Sequence, residues 1–156
     1  MRIHLISVGN RMPEWVEEGY REYAKRMPPE CSLRLVEIAP GRRGKGMDSR
    51  RAVATEGARM LRALPGGVWA IALDIQGESW STERLSARLG GWLADGRDLA
   101  LLVGGPEGLA RECLDRADAS WSLSPLTFPH PLVRVILAEQ LYRAWSVLKR
   151  HPYHRA

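Results

Sequence analysis

The chain has only two cysteines in 156 residues, Cys31 and Cys113, and no C-x-x-C pair. That scarcity excludes a disulfide framework and suits a reducing compartment, with both thiols serving as buried fillers. Long apolar runs are missing too. The stretch Met1–Gly9 is too short for a signal h-region and no later run could span a bilayer, so no membrane association and a cytoplasmic setting are expected. Four histidines and two cysteines form no ligand set, because His151-x-x-His154 has no companions nearby, and no metal is expected. The dinucleotide fingerprint G-x-G-x-x-G, the phosphate loop G-x-x-x-x-G-K-[ST] and the nucleophile elbow G-x-S-x-G are all absent, which counts against kinase-like and hydrolase chemistry.

What is present is a basic chain with enough apolar material for one core. Hydrophobic residues make up 45%, which argues against disorder and for a single domain over residues 1–156. The formal charge of +5 favours a polyanionic partner, since Lys and Arg gain free energy by displacing counterions from phosphates. Short β-branched or aliphatic runs alternate with amphipathic segments. The pattern predicts strands near Arg2–Gly9, Leu33–Pro40, Val68–Ile75, Asp98–Gly105 and Ser120–Leu123. Helices are expected near Pro13–Met27, Asp48–Leu64, Thr82–Ala94, Gly108–Ala117 and Pro131–Arg150. This is the alternation of an α/β fold, a mostly parallel sheet covered by helices. The last helix is apolar over more than one stripe, from Leu132 to Leu148. Either its own chain covers both sides or a second copy covers one, and the pattern leaves both open.

Four segments could carry chemistry. Val103-Gly104-Gly105-Pro106-Glu107-Gly108 follows the most apolar strand and opens a helix, so it is either a ligand-approach turn or a tight structural turn. Leu123-Ser124-Pro125-Leu126-Thr127-Phe128-Pro129-His130-Pro131 is unusually apolar for a loop, which suits a cleft for a flat ligand or, equally, a plug for the core. Arg42, Arg43, Lys45, Arg50 and Arg51 surround Gly41, Gly44 and Gly46, giving a pliable cationic loop that reads as an RNA phosphate contact. The closing His151-Pro152-Tyr153-His154-Arg155-Ala156 combines stacking, a base that titrates near neutrality and a guanidinium, although tails of this length usually fray.

Together with Met12-Pro13-Glu14-Trp15, Leu73-Asp74-Ile75 and Glu139-Gln140-Leu141-Tyr142-Arg143-Ala144-Trp145, these stretches resemble the family of ribosomal RNA large-subunit methyltransferase H, minimal SPOUT enzymes. The resemblance runs along essentially the whole chain. It implies an α/β knot near the carboxyl end, a homodimer, S-adenosyl-L-methionine as cofactor, and methylation of N3 of a pseudouridine in 23S rRNA of the assembled ribosome. Carried onto matching positions, it implies a cofactor cleft at Leu73, Gly104, Leu123, Ser124, Pro125, Leu126, Thr127 and Phe128, to which Gly105 is added as a neighbour on physical grounds. For the reaction itself His154 is the candidate base, Tyr153 a stacking surface, and Arg155 an anion clamp. Arg134, with Arg42, Arg43 and Lys45, is a candidate RNA contact. The competing expectation from another class is a non-catalytic module that shields a ribosomal site.

Overall fold

The computed structural model describes residues 1–155. Five strands, β1 (Arg2–Val8), β2 (Ser32–Ile38), β3 (Trp69–Ser79), β4 (Leu99–Val103) and β5 (Ala119–Ser122), form one sheet in the order β2-β1-β4-β3-β5, with every pairing parallel. Five helices, α1 (Glu14–Ala24), α2 (Ser49–Ala63), α3 (Thr82–Asp95), α4 (Arg111–Arg116) and α5 (His130–Leu148), make the crossovers and cover both faces. The α/β class expected from the alternation is therefore the one found.

Strand alternation decides which helix lies on which face. Ile3, Leu5, Leu99 and Leu101 point into a core shared with Leu85 and Leu89 of α3 and Leu137 and Leu141 of α5. Ile6, Val8, Ala100 and Leu102 point the other way, onto Met60 of α2 and Cys113 of α4. β4 is buried at all five positions because helices cover both of its faces, which explains its unbroken Leu-Ala-Leu-Leu-Val. Both cysteines are buried and unbonded to each other, and burial pushes the Cys31 thiol up to about 11.

Helix punctuation follows the side chains. The Asp48 carboxylate accepts the Arg50 N–H at 2.9 Å, and the Ser81 hydroxyl accepts that of Arg84 at 3.1 Å. Gly96 ends α3 in the left-handed region at φ 84°.

Two boundaries depart from expectation in ways that matter for the site. β3 runs on to Ser79 instead of stopping at Ile75: it leaves the ladder after Leu73 and rejoins β5 at Glu78, so that both Leu73 and Glu78 register against Trp121. A Cβ at Gly77 would sit 2.7 Å from the Ser120 carbonyl carbon and the Trp121 nitrogen, so glycine permits the rejoining. The excursion takes Asp74, Ile75 and Gln76 off the β5 ladder. α4 begins at Arg111, not Gly108, because Gly105–Gly108 closes its own turn, with the Gly108 N–H donating to the Gly105 carbonyl at 3.0 Å and Gly108 at φ 85°.

Candidate functional site

A cleft of about 400 Å³ opens at the carboxyl ends of β3, β4 and β5, where parallel sheets commonly hold ligands. Its walls contain Leu73, Gly104, Gly105, Leu123, Ser124, Leu126, Thr127 and Phe128, eight of the nine positions expected to hold a cofactor; Pro125 is not among them. The two loops thus meet although fourteen residues, 109–122, separate them. Each is built to stay put. A Cβ at Gly104 would lie 2.4 Å from the Gly108 carbonyl carbon and 2.7 Å from the Leu109 nitrogen, so the turn folds back over a bare Cα. In the second loop the Ser122 hydroxyl donates to the Ser124 carbonyl at 3.2 Å, and the Ser124 hydroxyl accepts the Leu126 N–H at 3.0 Å.

Several contributors escaped the sequence reading. Asp74 and Ile75 reach the wall through the β3 excursion, for which Gly77 was the available signal. Trp121, Val133 and His130 also line it. Burial, then the nearby Arg134 and Arg43 charges, push the His130 imidazole below its ordinary value, so the ring facing the cleft is neutral at pH 7. Ile75 and Leu126 stand exposed at the rim as apolar surface with nothing over it. An apolar rim, backbone-lined turns and two carboxylates, Asp74 and Glu107, suit a ligand with a flat ring and a positively charged centre.

The cationic loop divides. Arg42 and Lys45 are exposed, and among the described residues neither has an ion-pair partner. Arg43 does not share that freedom. Its guanidinium donates to buried Glu56 at 2.6 Å and to Glu107 at 2.5 Å, so a surface cation became an internal bridge. Glu56, 2% exposed, also accepts the Gly41 N–H at 2.9 Å. Its spacing with Ala52 and Met60 on the buried face of α2 was a legible hint of a carboxylate facing that loop.

Arg134 is likewise corrected as an RNA contact. It is 1% exposed, pairs with Glu37 at 3.0 Å, and donates to the Ser7 hydroxyl at 3.3 Å and the Gly9 carbonyl at 3.4 Å. It ties the first turn of α5 to the ends of β1 and β2, out of reach of a surface phosphate. Arg134→Ala should therefore lower the unfolding free energy by about 2 kcal/mol, since it empties the space of a buried side chain and takes a hydrogen-bond donor from the buried Ser7 hydroxyl, while exposed Glu37 keeps its water, and urea denaturation followed by circular dichroism would read the loss.

Residues 151–155 are not a frayed overhang. A 3₁₀ turn, Pro152–Arg155, folds back on α5. The Tyr153 hydroxyl donates to Glu139 at 3.1 Å, its ring meets Tyr142 edge-on at 4.7 Å, and burial with Glu139 raises it to about 12. His154 is half-buried, its Nδ1 without a hydrogen-bond partner among the described residues, and Arg155 is exposed. None of these three lines the cleft. Glu139, which anchors Tyr153, lies six residues along α5 from the cleft-lining Val133, about 9 Å at the helical rise, so within one chain the tail's anchor stands off from the cofactor cleft. Ala156 lies outside the described residues.

Comparison with known proteins fits this arrangement. The family described as "Predicted SPOUT methyltransferase" matches residues 1–154. The chain belongs to that SPOUT methyltransferase family. It is 67% identical over 156 residues, all of both chains, to "Ribosomal RNA large subunit methyltransferase H" of Alkalilimnicola ehrlichii. A protein of the same name from Thioalkalivibrio sulfidiphilus is 65% identical over 155 residues, 99% of each chain. Among solved structures, a methylase family protein from Neisseria gonorrhoeae superposes with a TM-score of 0.53 at 11% identity, over 90% of this chain and 80% of that one. A Legionella pneumophila methyltransferase structure in complex with the cofactor SAM gives 0.50 at 12% identity, over 93% and 66%. These two similarities speak for the fold alone. Membership of a methyltransferase family, with relatives named as an rRNA methyltransferase, speaks against the competing expectation of a non-catalytic shield. Among the described residues no cluster of three or more His, Cys, Asp or Glu could hold a metal, and no helix is long and apolar enough to cross a membrane.

Proposed function

We propose that this chain, folded as one domain, transfers the methyl group of S-adenosyl-L-methionine to N3 of a pseudouridine in 23S rRNA of the ribosome, acting in the cytoplasm as a homodimer. The observation that carries the reading is the convergence of the Gly104–Gly108 turn and the Leu123–Phe128 loop on one cleft at the strand ends, in a chain whose full-length relatives bear the name of a large-subunit rRNA methyltransferase. The knot implied by the resemblance belongs to the same reading. The cleft residues fit the cofactor: glycines allow close approach, the apolar rim suits adenine, and Asp74 and Glu107 offset positive charge. When bound, it supplies a methyl group already activated by a sulfonium centre, so the protein needs no covalent nucleophile. Leu73, Phe128 and the two turns hold and desolvate the ligand, and orientation alone removes several kcal/mol of barrier.

The imide proton must leave before the nitrogen can attack, and this is the task assigned to His154, with Tyr153 against the target base and Arg155 on phosphate or developing anion. Because these residues stand away from their own chain's cleft, the reading places the tail of one chain at the cleft of its partner. Exposed Arg42 and Lys45 hold rRNA phosphates. Incubating the protein with ribosomes and labelled cofactor, followed by mass spectrometry of digested nucleosides, should give a labelled N3-methylpseudouridine in 23S rRNA. Absence of label in rRNA would reject the reading.

A further inference from the structure

We propose that Arg43 is a positioning residue that locks the Gly104–Gly108 turn into its cofactor-binding shape, so that the basic loop and the cofactor cleft act as one unit; this deepens the proposed function and rests on it. Three observations converge. Glu56 is a carboxylate buried in the α2 face, and it is anchored twice on the basic loop, by the Gly41 N–H and by Arg43. Arg43 in turn spans to Glu107 through both Nε, at 3.2 Å to each carboxylate oxygen, and Nη2, at 2.5 Å to Oε2, which is a forked contact that fixes the carboxylate's plane as well as its position. Finally, a Cβ at Gly105 would meet Glu56 Oε1 at 3.5 Å and Arg43 Nη2 at 3.6 Å, so the bridge packs directly behind the turn's bare backbone.

Glu107 is a member of the turn and a lining residue of the cleft. The forked contact holds its carboxyl below the usual carboxylate range. A lysine at position 43 could meet one carboxylate as a point charge but could not bridge two with fixed geometry. The loop on the other side carries Arg42 and Lys45 within two residues of Arg43, free to meet phosphate. Phosphate drawn onto those side chains therefore bears on the same segment that clamps the cofactor turn.

The test uses the full-length chain and variants Arg43→Ala, Arg43→Lys, Glu107→Gln and the Arg43→Ala/Glu107→Gln double; Glu56 is left intact because its loss strands a buried site. Calorimetry with S-adenosyl-L-methionine should show about tenfold weaker binding for Arg43→Ala and Glu107→Gln, incomplete rescue by Arg43→Lys, and a double variant no worse than the singles. At saturating cofactor and ribosomes, the maximal methylation rate of Arg43→Ala should stay within about threefold while its cofactor KM rises, a split that general loss of structure would not give. Unchanged affinity in Arg43→Ala, or additive losses in the double variant, overturns the proposal. Hydrogen–deuterium exchange of the Gly105, Glu107, Gly108 and Leu109 amides separates this outcome from failure of the methyltransferase reading. If the wild type bound no S-adenosyl-L-methionine, the functional reading would fall, yet the clamp would still predict faster exchange in Arg43→Ala, and unaltered protection would refute the clamp itself.

Discussion

Replacing Gly104 by valine should weaken S-adenosyl-L-methionine binding at least a hundredfold while leaving a folded protein. The expectation rests on what a side chain would strike. The nearest atoms are the Gly108 carbonyl carbon at 2.4 Å, its oxygen at 2.6 Å and the Leu109 nitrogen at 2.7 Å, all main chain. None can rotate aside, because Gly105 and Gly108 are bridged and the Gly108 N–H is bonded back to Gly105. The turn must open by more than an ångström, and the open direction is the cleft. A hundredfold loss is about 2.8 kcal/mol, within the 1–3 kcal/mol that overpacking of a tight site typically costs. The strain falls on a turn beyond the end of β4, so the sheet and the core shared with α3 and α5 keep their contacts. Calorimetry should show the loss, and thermal melting should show a cooperative transition. Undiminished binding would mean that the cofactor does not approach this turn.

That turn also illustrates how far local pattern reaches. Its glycines were legible as a site because they follow an unbroken apolar strand, and the Leu123–Phe128 loop because apolar residues sit where loops are normally polar. Both signals are local, and the parallel topology then brings the two loops to the same sheet edge. The parts that stayed hidden depend on contacts between distant residues. A bulge that rejoins its partner strand has no period of its own, so Val68–Ile75 seemed to end where the excursion begins, and Asp74 and Ile75 reached the cleft unannounced. Arg43 and Arg134 illustrate the same gap for charge. Composition gives the number of cations but not which of them meet a carboxylate, and here Glu56, Glu107 and Glu37 convert two expected RNA contacts into internal ties. The surviving unpaired surface charge of that cluster, among the described residues, resides at Arg42, Lys45 and Arg51.

His154→Ala should slow single-turnover methylation by a hundredfold or more at saturating ribosomes and cofactor, the usual range for loss of a general base being about 10²–10⁴, with S-adenosyl-L-methionine affinity nearly unchanged. The second half follows from geometry: Tyr153 is fastened to Glu139 and Tyr142 on α5, and neither Tyr153 nor His154 is among the residues that line the cleft. If the base acted in its own chain, the 3₁₀ turn would have to detach, breaking the Tyr153–Glu139 bond and the ring contact with Tyr142. A tail supplied by a partner chain avoids that cost. The distinction can be read directly. Mixing His154→Ala chains with Gly104→Val chains, each nearly inactive alone, should restore activity, because one cleft in the mixed pair is intact and faces an intact tail from the other chain. At equal mixing, half of the pairs are mixed and each has one working site of two, so recovery should approach a quarter of the wild-type rate per chain. No recovery, with exchange between chains verified by a mass tag, would place the tail at its own cleft and require the turn to move.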